Sequence, residues 1–192
     1  MDLELQQALA RAEASLDAEP RGHLTRPERR SVSAALATHQ ERARLALRAA
    51  QHVLPVWQAR WPTDGLPAGL LQHAFALLHG DGDAAHARAA LDEALTHLDD
   101  VSYQSTDKMS VAAGYAALRA LTDALTGGAP DEAAAAALDE DVSPEAHDAA
   151  YLASVAWAGG PPWHPGASAE RRRAFWRWWL SEAAAVGAGR QP

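Results

Sequence analysis

Nine histidines make metal binding the first chemistry to consider in this sequence. Two histidines on one helix face stand three or four residues apart, as in the His-Glu-x-x-His motif of zinc enzymes. No pair here has that spacing, and His73, His79 and His86 are six and seven residues apart across a turn. The spacing therefore predicts no metal ligands among the histidines.

Two other histidine arrangements are alternatives to that interpretation. His147-Asp148 is the dipeptide of metal-dependent phosphohydrolases of the HD type, but it is common by chance, and the sequence does not place that type's upstream histidine and downstream aspartate. We interpret His147 as a histidine of the core or of a helix face. A three-histidine site assembled from different helices, as in some bacterial damage-inducible helical proteins, would make the chain a metal-dependent helical-bundle enzyme.

The residue types of other catalytic sites are missing or unpaired. The absence of cysteine excludes disulfides, thiol nucleophiles and cysteine-based metal sites. The sequence contains no Gly-x-Ser-x-Gly, no phosphate-binding glycine loop and no dinucleotide fingerprint. Neighbouring carboxylates are plentiful, but none is singled out as a general acid or base. We predict a protein without catalytic residues or a cofactor.

Charge is distributed unevenly along the chain, which has a net charge of −8. Residues 1–62 and 169–192 carry a net positive charge, whereas residues 63–168 hold sixteen acids against three bases. So acidic a segment argues against direct binding of nucleic acid, whose phosphates need cationic partners. It favours a basic protein partner reached by electrostatic steering, although a merely soluble acidic protein is the simpler interpretation.

Apolar residues recur at helical spacing almost throughout, and no alternating strand pattern occurs; the chain has no isoleucine. We predict an all-α protein, a single domain over residues 1–192 built as a bundle of about eight or nine helices. The N-terminal helix, 2–18, is a candidate for a peripheral element, and residues 186–192 are expected to form a disordered tail.

Several local signals refine this helical interpretation. Pro55 lies inside an apolar helical pattern and predicts a kink or a stop near Leu54. Gly114 in the middle of a helix costs about 1 kcal/mol relative to alanine, which suggests a close helix–helix crossing. Residues 99–106 are expected to form a polar loop, Pro130 to start a short helix, and Ser143 with Pro144 to start the next one.

The most aromatic stretch, 170–183, holds three of the seven tryptophans within four positions. Ser168 is a natural N-cap for it, and helical spacing gathers Phe175, Trp179 and their neighbours on one side, leaving the arginines for the outer side and the helix ends. Each buried aromatic contributes about 2–3 kcal/mol from its apolar area, so we predict that this helix closes the core.

Neither the start of the chain nor its apolar runs indicate a membrane protein. The acidic start at Met1–Leu5 lacks the features of a signal peptide, and no stretch approaches 18 unbroken apolar residues. Together with the lack of cysteine, this fits a cytoplasmic location.

Taken in order, several segments resemble the fifth of the numbered immunity-protein families of bacterial polymorphic toxin systems, a mostly helical family. The segments are Arg44–Leu47, His52–Trp57, Trp61–Pro67, Leu98–Tyr103, Ala113–Leu121, Asp148–Tyr151, Ala153-Ser154, Gly160-Pro161 with Trp163, and Phe175–Ala183. The resemblance covers roughly residues 20–185 and is carried by the ordered set. Ala184-Ala185 departs from the family pattern, which has Val-Pro after the tryptophan helix.

This resemblance implies a small cytoplasmic protein, encoded beside a toxin gene, that binds the toxin and blocks it without catalysis or a cofactor. The acidic middle of the chain suits a basic toxin such as a nuclease. A helical adaptor or regulatory protein is a further alternative, and a homodimer is left open.

Toxin contacts are expected in the polar loops, where tyrosine or tryptophan can anchor the partner and acids can steer it. The predicted interface residues are Asp99, Asp100, Tyr103, Asp139, Glu140, Asp141 and Trp163. Reversing residues 139–141 to lysine is expected to slow association with a basic partner without unfolding the protein.

Overall fold

Capping residues determine where the helices of this chain begin. Thr25 and Thr38 each open a helix with a capping box completed by Glu28 and Glu41, which hydrogen-bond back to the cap. Aspartate or serine side chains cap four of the later helices, as Ser168 caps the last one by accepting a hydrogen bond from the Arg171 N–H. The local sequence therefore explains most of the helix starts.

The computed structural model describes residues 2–127, 138–141 and 147–189. Its α-helices are α1 (Leu3–Ala18), α2 (Arg26–Ala34), α3 (His39–Arg60), α4 (Leu66–His79), α5 (Ala84–Gln104), α6 (Lys108–Thr126), α7 (Ala149–Ala158) and α8 (Ala169–Gly187), with a 3₁₀ turn at Asp139–Asp141. The prediction of an all-α fold is confirmed, since these ranges contain eight helices and no strand. Every described helix is too short or too polar to span a bilayer.

Helix α6 lies at the centre of the bundle, where it packs against α3, α4, α5 and α7. The expected close crossing at Gly114 is confirmed, because a Cβ atom there would stand 2.5 Å from Leu98 of α5 and 2.7 Å from Trp57 of α3. Only a residue without a side chain lets the three helices approach this closely.

Helix α8 closes the core, as predicted, against α1, α3 and α7. Phe175, Trp176, Trp179 and Leu180 are all at most 2% exposed. The expectation that its arginines lie outside is wrong for Arg172, which is 1% exposed because its guanidinium donates hydrogen bonds to the Arg21, Gly160 and Pro161 carbonyls. Helix α8 is therefore held to the chain before α2 and to the end of α7.

Several expectations about helix ends can be compared with the structure. Helix α3 runs through Pro55 to Arg60, so the stop that was one of the two expected outcomes near Leu54 does not occur. Helix α5 continues to Gln104, so residues 99–104 are helical and do not form a loop. Helix α7 begins at Ala149 with Asp148 as its cap, whereas the expected start at Ser143 and the short helix from Pro130 lie outside the described residues. The disordered tail is wrong for Val186, which is 4% exposed in α8, while residues 190–192 are not described.

Candidate functional site

A buried ion-pair cluster centred on Arg29 of α2 is the densest polar feature of the described chain. The Arg29 Nη1 and Nη2 atoms donate to the two carboxylate oxygens of Asp139 at 2.9 and 2.7 Å. Its Nε and Nη2 atoms donate to Asp148 at 3.0 and 2.6 Å, and Nη1 also donates to the Leu24 carbonyl at 2.8 Å. All five N–H donors of the guanidinium are thus used within the protein.

Four separate parts of the chain deliver the groups of this cluster. Asp139 begins the 3₁₀ turn, and Asp148 is the N-cap of α7, where its other oxygen accepts the Tyr151 N–H at 2.7 Å. Tyr151 and Trp176 place their rings 5.2 and 5.5 Å from the Arg29 guanidinium carbon. The cluster therefore joins α2, the 3₁₀ turn, α7 and α8.

The electrostatics of the cluster keep both carboxyls ionised. Burial alone would raise the pKa of Asp139, but hydrogen bonds from Arg29 and His23 outweigh it and hold that pKa well below its usual range. Burial also raises the pKa of Asp148, but the charge of Arg29 lowers it by more, so this pKa too lies below its usual value. Neither carboxyl holds a proton near neutral pH, so neither can serve as a general acid.

The two histidines of the cluster are neutral and buried. His23 Nε2 lies 2.9 Å from an Asp139 oxygen, and because an ionised carboxylate only accepts, Nε2 carries the proton. The His147 ring stacks on Tyr151 with a centroid distance of 4.2 Å, and its Nδ1 atom is buried without a hydrogen-bond partner. Burial lowers the pKa of both histidines, which places their charged forms below neutral pH.

Two histidines and two aspartates are residue types that often bind metal ions, but here the guanidinium of Arg29 occupies the position between the two carboxylates. Arg29 lies between Asp139 and Asp148 and neutralises both. Across the described ranges, no three His, Asp or Glu side chains are placed to hold a metal ion. Elsewhere His73 of α4 and His86 of α5 approach each other with ring centroids 5.1 Å apart, as a pair only.

Asp123 of α6 has a raised pKa, in contrast to the lowered pKa values of Asp139 and Asp148. Burial raises its pKa, the charge of Arg119 partly opposes the shift and the nearby Asp148 adds to it, and the resulting pKa is about 6. This carboxyl therefore gains a proton in a pH range where its exposed counterparts remain ionised.

A second aromatic cluster lies where α3, α7 and α8 meet. The His52 ring stacks on Trp178 at 3.9 Å between centroids and lies 4.6 Å from Trp157. The Arg171 guanidinium stands 5.2 Å from the Trp157 ring. Burial lowers the pKa of His52, so the neutral imidazole packs as an aromatic ring. These contacts extend the core toward the surface of α8.

The predicted interface residues lie on three separate parts of the chain. Asp99, Asp100 and Tyr103 lie on the last turns of α5, Glu140 and Asp141 are exposed beside the ion-pair cluster, and Trp163 follows the opposite end of α7. Tyr103 is 88% exposed and Trp163 48% exposed. Asp99 accepts a 2.5 Å hydrogen bond from the Tyr115 hydroxyl of α6.

The expectation that Asp139 lies on the surface is wrong. Its side chain is buried at 5% exposure and serves as the bidentate partner of Arg29. Reversal to lysine would bury a second cation beside Arg29, so reversing residues 139–141 together is expected to destabilise the fold. Glu140 and Asp141 remain exposed members of that segment.

Sequence reasoning missed Arg29 and His23, the central members of the cluster. One signal was available for Arg29, because it stands three residues before Val32 and so shares an apolar face of α2 with it. An arginine inside an apolar stripe indicates a buried ion pair. The partner carboxylates are more than 100 residues away, and no local pattern identifies them.

Comparison with known families gives one match of nearly full length. The family model described as immunity protein Imm5 matches residues 9–186. No curated protein matches the chain.

Proposed function

Because the chain belongs to the Imm5 family of immunity proteins, we propose that it neutralises a cognate polymorphic toxin by binding it in the cytoplasm, without catalysis. The family match over residues 9–186 is the observation that carries this proposal. The match spans all eight described helices, so the role is assigned to the whole folded bundle.

The geometry of the buried polar groups supports a binding role over a catalytic one. The guanidinium, the two carboxylates and His23 of the Arg29 cluster are engaged with one another. Their positions join helices and present no described acid–base pair to a substrate. Such a cluster contributes to one well-defined fold, which a specific binding surface needs.

The charge of the protein supports a basic toxin as the partner. The excess of acids lies in residues 63–168, which include α4, α5, α6 and α7. Acidic binding proteins associate rapidly with basic partners because the opposite potentials steer the encounter. A nuclease, which needs cationic side chains for nucleic acid, is a toxin of that kind.

A growth-rescue experiment tests the proposal. The toxin domain encoded beside this gene is expressed under tight control, with and without the protein, and the two purified proteins are then mixed on a size-exclusion column. We expect restored growth and a stable complex. An Asp139→Ala variant, whose folded state is destabilised, is expected to rescue growth less well than the wild type.

Two results would overturn the proposal. One is a demonstrably toxic neighbour whose effect persists when the folded protein is co-expressed, with no complex on the column. The other is rescue accompanied by chemical modification of the toxin or its target, visible by mass spectrometry, which would indicate an enzyme. Elemental analysis of untagged protein checks the metal-dependent alternative directly.

A further inference from the structure

Helix α5 packs on the bundle along one side, where Ala90, Leu91 and Val101 are partly buried against the core. Ala87, Ala94 and Leu98 are its only buried residues, spaced by seven and four positions along one side. Helical rotation of 100° per residue places Asp92, Asp100 and Tyr103 about 140–160° from that stripe and Leu95 about 80° from it, at the edge of this outer face. This outer face is exposed at all four positions.

Two large apolar side chains on this outer face are exposed to solvent. Tyr103 is 88% exposed and Leu95 is 46% exposed. Tyrosine is among the residues that most often anchor protein–protein interfaces, because it brings a large rigid contact area together with a hydroxyl. Nothing in the packing of α5 onto α4 and α6 accounts for either exposed side chain.

The charge of α5 runs against its own helix dipole. Asp99 and Asp100 lie toward the C-terminal end, where the partial charge of the helix is already negative, and the last turn has no basic residue. Lys108 offsets this negative charge in part, because its ammonium group donates a hydrogen bond to the Ser102 carbonyl. Asp92 and Asp100 form no ion pair among the described residues. The end of α5 therefore has an excess of negative charge, which Lys108 offsets only in part.

We propose that the outer face of α5, formed by Asp92, Leu95, Asp100 and Tyr103, is the surface that binds the toxin. Its partner is a basic protein surface that surrounds an apolar pocket for the Tyr103 ring. The acids attract the basic surface and set the association rate, and the two apolar side chains hold the complex and set its dissociation rate. This inference rests on the proposed function and assigns it to one helix face.

The test measures binding rates to the catalytically inactivated toxin domain encoded by the adjacent gene. A variant carrying Asp92→Lys and Asp100→Lys is expected to associate about ten-fold more slowly at low salt, with the difference shrinking as salt is raised. A variant carrying Leu95→Ala and Tyr103→Ala is expected to dissociate about ten-fold faster with little change in association.

Helix α1 supplies matched controls at a distance from α5. Glu4→Lys with Glu13→Lys makes the same change of charge on exposed positions, and Leu3→Ala removes an apolar side chain that is 65% exposed. These variants are expected to bind as the wild type does. Circular dichroism melting verifies that every variant remains folded.

The outcomes separate the two proposals. Unchanged rates in both α5 variants, with wild-type protein that binds and rescues, would overturn the α5 surface and leave the proposed function standing. Equal slowing by the α1 and α5 charge variants would also overturn it, because the effect would then belong to net charge. Wild-type protein that neither binds nor rescues would overturn both.

Discussion

The salt bridge between Arg29 and Asp139 is the contact whose loss should cost most for a single side chain. Replacing Asp139 by alanine leaves the Arg29 guanidinium buried with fewer partners, which typically costs about 3–5 kcal/mol. We expect the Asp139→Ala variant to lose that much free energy of unfolding in urea titrations at pH 7.5.

Asp141 in the same 3₁₀ turn provides the control for this variant. Its side chain is exposed, so Asp141→Ala should change the free energy of unfolding by no more than about 0.5 kcal/mol. A loss below about 1 kcal/mol in Asp139→Ala would show that the cluster does not hold the helices together.

Asp123 leads to a prediction about pH at the same scale. Its pKa of about 6 exceeds the usual 3.8, so between these values the folded state binds more protons than the unfolded state and stability falls as pH rises. Asp123→Asn removes that dependence. We expect the variant to be about 1–2 kcal/mol more stable than wild type at pH 7.5 and the gain to shrink at pH 4.5.

The buried histidines act in the opposite direction in the same experiment. Because burial lowers the pKa of His23 and His147, their unfolded forms take up protons first, and stability is lost as pH falls below their usual value of 6.5. Comparing wild type with Asp123→Asn at each pH cancels this shared contribution. A variant less stable than wild type at pH 7.5 would contradict the Asp123 prediction.

At the scale of elements, two glycines inside helices should respond oppositely to alanine. Gly114→Ala places a methyl group against Trp57 and Leu98, and overpacking of this kind costs about 1–3 kcal/mol. Gly69 of α4 has no heavy atom within 4 Å of the position that a Cβ would take, so Gly69→Ala should gain up to about 1 kcal/mol of helix propensity.

Thermal unfolding of both variants measures this difference. We expect a lower Tm for Gly114→Ala and an equal or higher Tm for Gly69→Ala. A rise in both would mean that the crossing of α6 with α3 and α5 has room to relax.

Helix positions were largely predictable because their signals are local. Thr25, Pro27 and Ser168 mark helix starts through hydrogen bonds made within a few residues, and the structure places helices there. Gly114 revealed a crossing because glycine in a helix is costly without a packing reason. The tryptophan helix was likewise evident from its apolar face.

Tertiary packing overrode local preference where the sequence misled. Residues 99–104 favour a loop by composition, but α5 continues through them to Gln104, beyond Leu98, which is fully buried against the bundle. Pro55 lies on the exposed side of α3, where water can reach the backbone carbonyl that loses its donor, while Val53 and Trp57 stay buried on the other side. Both outcomes depend on partners distant in the sequence.

At the scale of the whole molecule, one hydrophobic cluster extends from Leu5 in α1 to Val186 in α8. A single continuous core predicts that the chain unfolds as one unit, in keeping with the expected single domain. We expect tryptophan fluorescence and far-ultraviolet circular dichroism to report the same midpoint in urea. Separate midpoints, with α1 released first, would mean that the N-terminal helix is an independent unit.

The candidate binding surface was predictable only in part from the sequence. Asp99, Asp100 and Tyr103 were selected because polar loops often carry contacts, yet they lie on a helix, and their neighbours on its outer face, Asp92 and Leu95, were not selected. Exposure is a property of the folded chain, and a leucine in a helical pattern is indistinguishable from a core residue until its partners are known.

The one-sided packing of α5 has a consequence for how such a protein evolves. Since its buried and partly buried apolar residues lie on one side, mutations on the opposite side meet little selection from the folding of the bundle. On the proposed toxin-binding face, a lineage can therefore exchange acids and aromatics one at a time without altering the core of the bundle.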